Sequence, residues 1–106
     1  MRGELRVTEN EIALAACQIA ATSPNGVATF RRMKREIPNH LTLSAGDRAP
    51  SQTRPGEQLW EQLIRNIKSH SDTEGNYIRE GYLEHVPRVG YRITPAGRRH
   101  IQSGAP

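Results

Sequence analysis

Residues 81–98 read GYLEHVPRVGYRITPAGR, and the order of turn formers and apolar residues in this stretch decides the fold class. Tyr82 to Val86 and Tyr91 to Thr94 are two strand-like runs, and Pro87-Arg88-Val89-Gly90 between them has the residues of a hairpin loop. Thr94-Pro95 supplies a helix N-cap followed by proline at the first helical position, which opens a short terminal helix through Ile101. On the near side, Tyr77 to Glu80 is long enough for one helical turn. Gly81 suits the position just past that turn, where the backbone needs positive φ. A hairpin and one short helix cannot bury themselves, so the core must come from upstream.

Upstream, Leu59, Trp60, Leu63, Ile64 and Ile67 recur at helical spacing behind Pro55, which is placed at the first helical position. At about 100° per residue, Gln58, Gln62, Arg65 and Ser69 fall on the opposite face, flanked by Glu61 and Asn66. Trp60 lies within the apolar face and reads as a core anchor. Residues 41–56 are rich in Ser, Thr, Pro and Gly and form a long loop, longer than the usual connection of about 4–6 residues. Before it, Thr29 is the N-cap of a helix through Phe30, Met33 and Ile37, and Pro38 ends or bends that helix. Val27 and Ala28 form a very short strand ahead of Thr29. At the front, Val7, Thr8, Glu11 and Ile12 occupy the N′, N-cap, N3 and N4 positions of a capping box with its hydrophobic staple. A first helix therefore begins at about Glu9, presents Ile12, Ala15, Ala16, Ile19 and Ala20 on one narrow face, and stops at Ser23-Pro24-Asn25-Gly26.

The 106 residues fit one domain, 1–106, with flexible ends at 1–7 and 102–106. Strong core formers (Leu, Ile, Val, Phe) number 20 of 106, close to the roughly one-fifth below which disorder is an option, but the low net charge of +4 argues against disorder. The single cysteine excludes an internal disulfide and any multi-cysteine zinc site, and Cys17 reads as a small apolar residue of the first helix. Among His40, His70, His85 and His100, no two stand at the i, i+3 or i, i+4 spacing that places metal ligands on one helix face. His85 is assigned to the outer side of its strand, and Tyr82 and Tyr91 are expected as a cross-strand pair. No Gly-Lys-Ser/Thr phosphate loop and no recognisable triad order occur, so neither an enzyme nor a cofactor is expected. Met1-Arg2-Gly3-Glu4 places an acid where a secretion signal needs its apolar run. The Ala-rich stretch Ile12 to Ala21 is too short to span a bilayer, so the expectation is a cytoplasmic protein without membrane contact.

Helix, brief strand, helix, helix, hairpin and short helix is the order of a winged helix-turn-helix. The sequence resembles that family most over residues 81–98, where strand, tight turn, strand and Thr-Pro-x-Gly-Arg look like the wing and following helix of bacterial winged-helix regulators. It is similar also to the amino-terminal domain of Mrr-type restriction endonucleases. The expected fold class is accordingly α+β, mainly α: a three-helix core with a C-terminal β-hairpin wing and a short terminal helix. Ser69 to Asn76 stands as an insertion before the glycine that precedes the wing. The Mrr resemblance implies recognition of DNA ahead of a nuclease domain. No Glu-x-Lys follows a candidate acid, so binding is carried over and cleavage is not.

A B-form major groove is about 12 Å wide and admits one helix, so such a module needs an exposed polar helix face and cations for the flanking phosphates. Arg65 suits guanine, Gln58, Gln62 and Asn66 suit adenine edges, and Ser69 shares their face. Arg54, just ahead of the helix, is placed to meet phosphate together with free backbone N–H groups of the helix start. Arg88 at the hairpin tip reaches a minor groove or a backbone. With Arg92, Arg98 and Arg99 it gives Val86 to Pro106 a charge of +4 and no acid. Arg31 and Lys34, with Arg32 and Arg35, form a second cationic surface or merely a solvated face. Glu57 and Glu61 repel phosphate if they face it. The expected function is a double-stranded-DNA-binding module, a regulator or an accessory subunit of a DNA-processing or restriction system, with a homodimer on paired half-sites left open. The alternative is a protein–protein interaction winged-helix module without nucleic-acid binding, because an amide-rich helix face suits a protein surface equally well.

Overall fold

Thr8 starts the first helix by a local exchange of bonds: its hydroxyl accepts from the Glu11 N–H, and the Glu11 carboxylate accepts from the Thr8 N–H at 2.8 Å. The computed structural model describes residues 6–103, so the expected flexible ends fall largely outside the described residues. Helix α1, Glu9–Ala21, buries Ile12, Ala13, Ala15, Ala16, Cys17, Ile19 and Ala20. Small residues around much of its girth let the other helices and the sheet come close on several sides. A 3-10 turn at Pro24–Gly26 ends in the short strand β1, Val27–Thr29.

The Thr29 hydroxyl caps α2, Phe30–His40, by accepting from the Arg32 N–H. Pro38 does not stop this helix, which runs on to His40. The proline stands in the last turn, where its missing N–H removes one bond, and the Leu41 N–H still reaches the Ile37 carbonyl. Helix α3, Leu59–Ser69, begins four residues beyond Pro55, with Gln58 at the N-cap. The reason lies in the preceding loop, which doubles back along the helix start. The Ala49 and Asp47 carbonyls accept from the Leu59 and Trp60 N–H groups, and Ser51 N–H donates to Glu57. Asp47 organises that loop. Its side chain is 2% exposed and accepts from the Ser44 and Val7 N–H groups and from Arg6 Nε.

The residues inserted after α3 are folded back onto it by Asn76, which is buried. Its Nδ2 donates to the Ile67 carbonyl at 2.8 Å, and its Oδ1 accepts from Ile78 and Arg79 N–H groups, the first at 2.7 Å. One helical-type bond, Glu80 N–H to Asn76 O, precedes Gly81 at φ 85°. Strands β2, Leu83–Val86, and β3, Gly90–Ile93, then form the hairpin, and β1 joins β3 on its other edge in an antiparallel sheet of order β1-β3-β2. Helix α4, Pro95–Gln102, is capped by the Thr94 hydroxyl, which accepts from Gly97 N–H. The architecture is thus α+β, with four helices and one small sheet.

Two expected strand neighbours separate. The register sets His85, not Tyr82, opposite Tyr91. Tyr82 lies before β2 and stacks on His100 of α4 at 4.1 Å, with Tyr77 edge-on to both. His85 shares the parity of buried Leu83 and therefore turns inward rather than outward, its ring 5.9 Å from that of Tyr91. Tyr91 is fully buried and its hydroxyl donates to the Ile64 carbonyl at 2.6 Å, fixing the sheet to α3. Burial pushes both the Tyr91 hydroxyl and the Cys17 thiol up to about 12, so each keeps its proton at neutral pH. Trp60 is a core residue, 3% exposed, with its indole N–H donating to Gln58 Oε1. No helix among the described residues is long and apolar enough to cross a membrane.

Candidate nucleic-acid interface

Phe30, Arg54, Arg65, Lys68, His85, Arg88 and Tyr91 line one concavity of about 290 Å³, and no carboxylate is among them. Six segments converge there. Arg65 and Lys68, three residues apart, project from one side of α3. Arg88 stands in the hairpin loop at φ 65°, in a turn closed by Val89 N–H to Val86 O. The Phe30 N–H donates to the Val89 carbonyl, tying the start of α2 to the same hairpin. Arg54 comes from the loop that caps α3, and His85 and Tyr91 face each other across β2 and β3. The floor is aromatic, with Phe30 edge-on to Tyr91 at 5.7 Å.

A larger hollow of about 430 Å³ lies between Glu9, Asn10, His70 and Glu74. Its carboxylates, one of them bonded to His70 Nδ1 at 2.6 Å, make it a poor place for phosphate.

Many of the polar groups read from the sequence have partners inside the molecule. Arg65 donates through Nε and a terminal nitrogen to Glu57 Oε2, at 3.2 and 2.7 Å, and Lys34 Nζ joins the same oxygen at 3.1 Å. The Arg65 hydrogen bond outweighs desolvation and, with Lys34, holds the Glu57 carboxyl below the usual carboxylate range. Three charges here sum to +1, so Glu57 subtracts from the basic face without exposing an anion: its side chain is only 10% exposed. Glu61 is also committed, its carboxylate accepting from the Gln58 N–H at 2.8 Å. Gln62 Oε1 accepts from the Ser51 hydroxyl and Gln58 Oε1 from the Trp60 indole N–H, so each amide oxygen already has an internal partner. Ser69 is exposed and bonds back to the Arg65 carbonyl, and Asn66 is half-buried. The N–H groups at the start of α3 are not free, contrary to the expectation for Arg54, since loop carbonyls and Gln58 accept all of the first four.

The arginines of the C-terminal stretch do not gather. Arg88 lines the concavity, whereas Arg92 pairs with Glu84 at 3.4 Å and Arg98 reaches the Ala21 carbonyl at the end of α1. Arg99 and Arg31 are exposed, without a side-chain partner among the described residues, and outside the lining. Arg54, Lys68 and Arg88 are the lining cations whose charged ends carry no ion pair or hydrogen bond among the described residues. Lys68 and His85 belong to the lining and were missed as site residues in the sequence. Both had a signal, in the three-residue spacing from Arg65 and in the parity with Leu83. No protein-family model, curated protein or solved structure matches this chain.

Proposed function

We propose that this chain is a winged helix-turn-helix module that holds double-stranded DNA mainly by its backbone, through Arg54, Lys68 and Arg88, as a regulator or as an accessory to a DNA-processing system. The single observation that carries this is the concavity in which three unpaired cations from the α3 loop, α3 and the hairpin meet with no lining carboxylate. The order α1-β1-α2-α3-β2-β3-α4 supports the winged-helix assignment. Phosphates are the chemical match, because a guanidinium or ammonium without an internal partner gains most from an anion whose counterions are released on binding. Base reading is weaker by comparison. Gln58, Gln62, Arg65 and Ser69 each have a prior bond, which leaves Asn66 for base edges.

Titration of the protein with random-sequence duplex at several salt concentrations tests this. Three phosphate contacts give a log–log salt slope of about −2.7. Arg54→Ala, Lys68→Ala and Arg88→Ala each reduce it by about 0.9, with little change in sequence preference. Absence of duplex binding at low salt overturns the proposal in favour of a protein partner.

A further inference from the structure

We infer that the concavity receives one unpaired nucleotide, so that the preferred substrate is duplex DNA carrying an extrahelical or overhanging base rather than uninterrupted duplex. This rests on the nucleic-acid reading above and deepens it. Cations at a rim suffice for the phosphates of an intact duplex, whose base faces are stacked and closed to side chains. This rim instead surrounds a hollow with an aromatic floor, where half-buried Phe30 and His85 flank the fully buried Tyr91. Its volume of about 290 Å³ lies just below the roughly 300 to 1,000 Å³ of small-molecule sites, so it suits one base lying in an open hollow. A nucleotide satisfies both halves: the base lies against Phe30 and His85, and the adjoining phosphates meet Arg54, Lys68 and Arg88. No amide or carboxylate side chain lines the hollow, so acceptance is tolerant of base identity.

The test uses fluorescence anisotropy of the full chain with three duplexes: fully paired, with one bulged nucleotide, and with the same bulge made abasic. Stacking of one base on aromatic side chains is worth roughly 5- to 150-fold in affinity. We therefore expect the bulged duplex to bind on the order of tenfold tighter than the paired one and the abasic bulge to lose that gain. Phe30→Leu and His85→Ala should each shrink the ratio of bulged-duplex to paired-duplex affinity, whereas Arg88→Ala should weaken all three duplexes and leave that ratio in place. Leucine is chosen at 30 because the ring also packs on Tyr91. His85→Ala provides a second variant that does not touch α2. Equal affinity for the three duplexes, or a gain unmoved by both variants, overturns the nucleotide inference and leaves duplex binding standing. Failure of every duplex to bind removes both.

Discussion

Glu57 joins three segments through one carboxylate oxygen, with Lys34 from α2 and Arg65 from α3 bound to it from the capping loop. Its folded-state pKa is depressed, chiefly by the Arg65 hydrogen bond, so the stabilisation it contributes is present above the unfolded value, about 4.3, and is lost as pH falls through the folded one. Glu57→Gln should therefore cost about 1 kcal/mol at pH 7, the cations being partly exposed, and the deficit should close as pH falls from about 4.3 through the depressed folded value. Urea unfolding of both proteins across that range checks this, and parallel pH profiles would show that the carboxylate adds nothing. The same variant releases Arg65 and Lys34, so its duplex binding should tighten and its salt slope steepen by up to about 1.8. At this scale the sequence was legible for residue type and face but not for commitment. Gln62 is engaged by Ser51 eleven positions away, and nothing in the spacing of α3 announces that bond. His85 is different: the period of two counted from Leu83 already sets it on the inner side.

The hairpin is held to the rest of the domain at two glycines. A Cβ at Gly90 would meet the Ala28 carbonyl oxygen, and one at Gly97 would meet the Tyr82 carbonyl oxygen, so the close packing of β3 on β1 and of α4 on the hairpin excludes a side chain at either position. Gly90→Ala should destabilise the protein by at least about 2 kcal/mol and raise amide exchange at Phe30, whose N–H bonds to Val89 in the same hairpin. Gly81→Ala meets no atom and should cost only the backbone strain of φ 85°, about 1 kcal/mol. Similar losses in the two variants would argue against the tight β1–β3 approach. Elements closed by local chemistry were readable: Thr8, Thr29 and Thr94 each cap a helix through an N–H three residues on. The start of α3 was not, because its first donors are met by carbonyls ten or more residues upstream, and a proline at position 55 carries no information about them. Of the two expectations for Pro38, an end to α2 fails because a proline in a last turn removes only one bond.

Across the whole molecule, α1 forms the centre and the cations are distributed unevenly around it. The net charge of +4 is a property of composition, whereas the proposed interface depends on three side chains that the fold collects from distant segments. These two quantities separate experimentally. Replacing Arg54, Lys68 and Arg88 together by Ala lowers the net charge by three, and so does replacing Arg92, Arg98 and Arg99. General attraction to a polyanion responds to total charge and would weaken equally in both. A local phosphate site predicts otherwise: the first triple variant should lose most of a slope near −2.7, and the second should retain it within about 0.5. Arg92 gives up only an exposed pair with Glu84, and Arg98 one long bond to Ala21, so the second variant should keep its thermal midpoint within a few degrees, about the shift expected for a loss below 1 kcal/mol. Equal slopes in two folded variants would reduce the concavity to an accident of shape and leave the binding, if any, to composition alone.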